Sequence, residues 1–190
     1  MIKSENIEEL QQRIALYDDM QAYRQLFFVF YSPLVKFATG FVNSHEQAEE
    51  IVSDVFTKIW EKRASLNTIA NLRVYLYIST KNTSLNYIAK HRRVQNIGLD
   101  DIDIDLPSAT LNPEQLMITA EVVNRVDAAI KSLPPRCKLI FKLIREDGLP
   151  YKEVAEVLNI SVNTIDNQLA IAIKKIALAI NLRLNRKIGS

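Results

Sequence analysis

Side chains that both donate and accept hydrogen bonds can read base edges in a DNA groove. Asn163, Thr164, Asn167 and Gln168 recur at a spacing that gathers them on one face of a helix. They lie in the stretch Tyr151 to Leu169, YKEVAEVLNISVNTIDNQL. To present them, the stretch must fold as two crossing helices. Val154, Ala155 and Leu158 form the inner stripe of the first, Ile160 fills the corner, and Val162, Ile165 and Leu169 line the second. Ala155 is small enough for a close helix crossing, Asn159 tolerates the left-handed backbone that ends the first helix, and Ser161 can cap the second. The spacing predicts a helix-turn-helix whose second helix offers its first turns to duplex DNA. A solvated helical hairpin would share the polar outer face, but not the agreement of small residue, turn, cap and apolar spacing.

A different chemistry is available between Asn71 and Arg93, NLRVYLYISTKNTSLNYIAKHRR. Tyr75, Tyr77 and Tyr87 could stack on unpaired bases, while Arg73, Lys81, Asn82, Asn86, Lys90, Arg92 and Arg93 could neutralise phosphates or bond to bases. The competing reading is structural: tyrosines of an amphipathic helix often pack inward, and a terminal basic cluster favours the helix dipole.

Ingredients for catalysis are sparse. His45 and His91 are far apart in sequence and sit beside cap or basic residues, and no glycine-rich loop is present to cradle phosphate. A single cysteine, Cys137, excludes an internal disulfide and a multi-cysteine zinc site. The chain is therefore expected to be non-enzymatic, with no metal and no cofactor. The net charge of +2 is too small to argue for nucleic acid by itself, but its distribution is uneven. Lys81 to Arg93 holds no acid, Asp100, Asp101, Asp103 and Asp105 crowd the stretch that follows, and no acid occurs after Asp166.

The elements that must position these residues are helices. With 48% hydrophobic residues, 4 glycines and 6 prolines, the chain can form a core but lacks the turn chemistry of a many-stranded fold. Apolar residues recur at helical spacing from Ile7 to Val42, with Pro33 expected to break or kink the run. Ser44 and Gln47 have capping-box spacing before a helix that carries Ala48, Ile51, Val52, Val55, Phe56 and Ile59 on one broad face and ends near Lys62. After the short polar segment Arg63 to Ala70, Asn71 can cap a helix with Leu72, Leu76, Ile78, Leu85 and Ile88 as core positions.

The period then fails between Val94 and Asn112, which reads as an acidic linker. A new helix starts near Pro113, continues through Leu116, Ile118, Val122, Val126 and Ile130, and stops at Pro134 and Pro135. Helical segments follow at Arg136 to Arg145, Tyr151 to Leu158, and Val162 to about Leu184. In the last, Ile165, Leu169, Ala172, Ile176 and Ile180 can face inward, while Ile171, Ile173, Leu178 and Leu182 spread apolar character outward, as a partner-binding helix would. The expected fold is all-α: a helical domain over 1–93, a linker over 94–112, and a helix-turn-helix domain over 113–190. The N-terminus lacks the apolar core of a signal peptide, and charges are expected to interrupt apolar stretches before membrane-spanning length. A cytoplasmic protein without membrane insertion is expected.

Three stretches in this order resemble the extracytoplasmic-function group of the sigma-70 superfamily. They are YSPLVKFATGFVNSHEQAEEIVSDVFTKIWEKR (Tyr31 to Arg63), the Asn71 to Arg93 stretch, and LPPRCKLIFKLIREDGLPYKEVAEVLNISVNTIDNQL (Leu133 to Leu169). The resemblance implies a transcription initiation factor. Its first domain would bind core RNA polymerase and capture the melted minus-ten strand, and its second would read the minus-thirty-five duplex. By the same resemblance, Glu49, Asp54, Phe56, Lys58 and Trp60 belong to the polymerase-docking helix, with Phe56 and Trp60 also suited to core packing. Ser65 and Asn67 lie in the loop that holds an extruded base, Arg136 and Lys152 suit phosphate contact, and Ser161 joins Asn163, Thr164, Asn167 and Gln168 in the minus-thirty-five set. An anti-sigma factor is an implied partner, which could hold the protein at the inner membrane. Asn163 and Gln168 depart from the basic residue and histidine common in the family, and Asn159 from a frequent glycine. The rival readings are a stand-alone helix-turn-helix regulator with an N-terminal sensing bundle, and a helical interaction protein without DNA affinity.

Overall fold

The computed structural model describes residues 4–92 and 120–181, and among these the regular elements are all helical. They are α1 (Ser4–Tyr17), α2 (Met20–Val42), α3 (His45–Glu61), a 3-10 segment (Arg63–Thr68), α4 (Leu72–Arg92), α5 (Ala120–Lys131), α6 (Pro135–Arg145), α7 (Tyr151–Leu158) and α8 (Val162–Asn181). The described helices fall into two compact units, α1 to α4 and α5 to α8, with Glu156–Leu158 grouped with the first. The linker stretch 94–112 and the helix start at Pro113, with Leu116 and Ile118, lie outside the described residues.

In the first unit α2 packs against α1, α3 and α4, burying Leu26, Phe30, Leu34, Val35, Phe37, Ala38 and Phe41. The apolar run that begins at Ile7 is two helices. Asp18 adopts a left-handed backbone at φ 52°, and Asp19 then caps α2 by accepting from the N–H groups of Gln21 (2.8 Å) and Ala22 (3.1 Å). Pro33, expected to break or kink the run, sits inside a helix that continues to Val42. Proline removes one backbone donor, and the buried residues on either side of it hold the helix together across that loss.

The expectation that charges interrupt every long apolar stretch fails at α2. Only Arg24 and Lys36 are charged, and the helix is long and apolar enough to cross a membrane by length and composition. Nine of its residues are buried in the protein, as in a core helix.

α3 starts as expected, with Ser44 Oγ accepting from the Gln47 N–H (3.3 Å), and buries Ala48, Ile51, Val52, Val55, Phe56 and Ile59. Asn71 caps α4 by accepting from the Val74 N–H (3.1 Å). Leu72, Leu76 and Ile88 are buried there, whereas Ile78 and Leu85 are only half-buried.

The second unit is built around α8, which packs on α5 and α6. Leu133, Cys137 and Ala172 form a buried cluster flanked by Ile130 and Phe141, and Leu139, Ile140, Leu143, Leu149, Val154, Ile165 and Leu169 are buried as well. Pro135 occupies the first turn of α6, where a missing N–H costs nothing. At the other end of α6, Gly148 takes φ 68° and the chain turns back. That turn brings Asp147 onto Lys142, whose Nζ donates to both carboxylate oxygens at 2.9 Å with the two side chains 1% and 7% exposed.

Candidate nucleic-acid interface

The corner between α7 and α8 has the predicted local geometry. Asn159 ends α7 with φ 54°, and the Ile160 N–H returns to the Ala155 carbonyl at 3.0 Å. Ser161 Oγ then accepts from the Thr164 N–H (3.1 Å) and bonds to the Thr164 hydroxyl (2.8 Å). Ser161 and Thr164 are thereby engaged in capping α8. Asn163 and Asn167 are exposed, and Gln168 is half-buried with its backbone carbonyl accepting from the Cys137 thiol (3.1 Å). Burial pushes the Cys137 pKa up. Val162, expected to line the inner side, is 39% exposed instead, because the first residue of the helix precedes the inward positions Ile165 and Leu169. Asp166 is exposed beside the amides and adds an acceptor of the kind that suits a cytosine amino group. Lys152 is exposed on α7, and Arg136 is half-buried at the start of α6.

The first unit offers a hairpin of α3 and α4 joined by the 3-10 segment. Ser65 and Asn67 are exposed on that segment, whose backbone is fixed from a distance. Buried Gln11 of α1 donates its amide to the carbonyls of Leu66 (2.6 Å) and Ile69 (2.8 Å). Ser65 Oγ donates to the Lys62 carbonyl (2.8 Å), and Arg63 is held by Asp18 and by the Trp60 carbonyl (3.0 Å). Nothing in the local pattern marks Gln11, since its contacts lie 55 and 58 residues away.

The residues expected on this hairpin separate into exposed and buried sets. Phe56 is 1% exposed and packs edge-on against Tyr23 and Phe27, so it is a core residue and presents no surface to a partner. Tyr77 is 2% exposed and edge-on to Phe37 at 5.1 Å, which takes it out of the set of base platforms. Trp60 is half-buried, with Tyr23 at 4.9 Å and the Arg63 guanidinium 4.7 Å over its ring. Glu49 is half-buried, accepting from the Tyr31 hydroxyl (3.2 Å) and lying 3.5 Å from His45. Asp54 and Lys58 project outward from α3.

On α4, Tyr75 is 38% exposed, Asn82, Asn86 and Lys90 are exposed, and Arg73, Lys81 and Tyr87 are half-buried. Tyr87 is stacked on His91 at 4.0 Å. The side chain of Arg92 and all of Arg93 lie outside the described residues. Between the helices runs a groove of about 220 Å³ with Val55 and Ile59 along its floor. Lys58 and Lys62 form one wall, and Tyr75, Ser79, Asn82 and Asn86 the other. Lys62 was not among the sequence-predicted residues, although its spacing of four from Lys58 puts both on one helix face.

These two surfaces coincide with two family signatures. Residues 28–94 match the family model for sigma-70 region 2, and residues 124–176 that for sigma-70, region 4. The chain is 25% identical over 158 residues to the ECF RNA polymerase sigma-E factor of Escherichia coli, covering 80% of this chain and 82% of that protein. It is 22% identical over 176 residues to the RNA polymerase sigma-H factor of Pseudomonas aeruginosa, covering 89% and 91%. The fold is similar to two solved structures. CnrH in complex with the cytosolic domain of CnrY gives a TM-score of 0.57 at 17% identity, covering 93% of this chain and 98% of that one. The sigma factor RpoE in complex with the anti-sigma factor NepR from Bartonella quintana gives 0.58 at 20% identity, covering 85% and 98%. With both regions matched in order and the helices expected of each in place, the chain belongs to the sigma-70 family, as an RNA polymerase sigma factor of the extracytoplasmic-function group.

Proposed function

We propose that this sigma factor divides its work between two domains, 1–93 and 113–190, joined by a linker over 94–112. The first would bind core RNA polymerase through α3, with Asp54 as the outward charge and Trp60 nearer the end of the helix, and would capture the melted minus-ten strand. Capture would use Ser65 and Asn67 on the 3-10 segment and Tyr75, Asn82, Asn86 and Lys90 on α4. The second would read minus-thirty-five duplex through Asn163, Asn167 and Gln168, with Lys152 and Arg136 on phosphates. The observation that carries this reading is the helix-turn-helix corner, where a left-handed Asn159 and a Ser161 cap leave exposed amides at the start of α8.

The polymerase supplies the nucleotide chemistry, and the factor works in the cytoplasm where polymerase and promoters are. Two structural relatives are recorded in complexes, CnrH with CnrY and RpoE with NepR, which supports an anti-sigma partner for this chain; tethering at the inner membrane would follow from that partner. The test is transcription in vitro from genomic fragments with core polymerase. Defined transcripts that require this protein are expected; protein that binds duplex unaided and never joins core polymerase would overturn the reading in favour of a stand-alone regulator.

A further inference from the structure

We propose that the groove between α3 and α4 holds the sugar-phosphate backbone of the unpaired promoter strand through Lys58 and Lys62, so that on the groove-facing side of α3 the border between DNA and polymerase surfaces falls between Asp54 and Lys58. The inference rests on the capture of a melted strand proposed above and adds a residue pair and a path.

Both lysines are exposed on one wall of the groove, and neither makes an ion pair among the described residues. No acid lines this part of the groove. Two cations without an ion pair among the described residues, facing a hydroxyl- and amide-lined wall, form a site for a polyanion rather than for an acidic helix, which would leave the facing amides and Tyr75 unused. The lysines are one helical turn apart, a rise of about 6 Å, comparable with the spacing of successive phosphates on an extended strand. Tyr75, 38% exposed on the opposite wall, offers a ring for stacking while the backbone lies against the lysines.

Position along the hairpin gives the path its direction. The lysine end adjoins the 3-10 segment that begins at Arg63, so a strand engaged at Ser65 and Asn67 meets Lys62 and then Lys58. Further toward the start of α3 the character changes, because Glu50 and Asp54 line the continuation of the groove opposite Lys90. Carboxylates on that stretch of the α3 wall repel phosphate and suit a protein surface, which leaves the strand to the facing α4 wall with Asn86 and Lys90. Lys58 lines both parts and marks the transition.

The test uses holoenzyme assembled from the full chain and core polymerase, with two readouts: assembly, and affinity for a single-stranded minus-ten oligonucleotide across a salt series. For the double variant Lys58→Ala/Lys62→Ala, assembly is expected to match the parent. Oligonucleotide affinity should fall at least tenfold, and the slope of log K against log salt should become shallower by about 1.4, from two lost contacts at about 0.7 each. The Lys58→Arg/Lys62→Arg variant should restore the slope, since either cation neutralises phosphate. An unchanged affinity and slope would overturn the proposal, as would loss of assembly in a variant with parental circular dichroism, which would return Lys58 to the polymerase surface. A parent that fails to assemble at all would instead sink the functional reading on which the proposal rests.

Discussion

Ser161, which caps α8, and Asn167, within its first turns, should fail in different ways. The Ser161 hydroxyl is committed to the Thr164 N–H and side chain, so Ser161→Ala should destabilise the second unit by about 1 kcal/mol, read as a lowered melting temperature. Asn167 is exposed, and Asn167→Ala should leave melting unchanged while shifting promoter preference by roughly 1–3 kcal/mol at one base position. Lys152→Ala should lower affinity evenly across a promoter library. Equal effects of Asn167→Ala on all promoters would remove it from base readout. The contrast also marks how far single residues were legible. Caps at Ser44, Asn71 and Ser161 and the left-handed Asn159 could be read because their partners lie within four residues. Tyr75 and Tyr77 could not be told apart, since which ring turns inward depends on Phe37, forty residues away on another helix.

At the scale of elements, helix existence is encoded by period and helix ends by local chemistry, but the break between α1 and α2 depends on Asp18 and Asp19, two acids inside an otherwise unbroken apolar period. The Asp19 carboxyl is held below its ordinary value by the Ala22 N–H and by Arg13. Because the folded pKa is depressed, its contribution is fully present above the ordinary carboxylate value and is lost as the pH falls through the lowered one. An acid titration below about pH 4 should therefore cost Asp19→Asn less stability than the parent. A stronger effect is expected in the turn after α6. Asp147→Ala would strand the Lys142 ammonium at 1% exposure and should destabilise the second unit by about 3–5 kcal/mol, measured by denaturant unfolding. A loss no larger than that of an exposed ion pair would show that Lys142 finds water or another acceptor.

For the molecule as a whole, the apolar excess on α8 was legible from the sequence, but its distribution was not. Ile171, Ile173 and Leu178 are exposed as expected, whereas Ile180, assigned to the inward stripe, is 42% exposed; Leu182 lies outside the described residues. An inward position needs a facing helix, and the packing of α8 on α5 and α6 does not bury α8 to its end. If this face receives an anti-sigma factor, Ile173→Ser with Leu178→Ser should weaken inhibition at least tenfold while transcription without inhibitor is retained. Inhibition and melting both unchanged would rule out a functional patch. The buried amide of Gln11, bonded to the carbonyls of Leu66 and Ile69, carries a consequence for inheritance. The segment proposed to hold an extruded base is braced by a helix encoded more than fifty residues upstream, so exchange of that segment alone between relatives would transplant its side chains without its shape. Promoter preference would then travel between lineages as a long N-terminal block, and recombination between α1 and the 3-10 segment would tend to yield factors that join polymerase yet open promoters poorly.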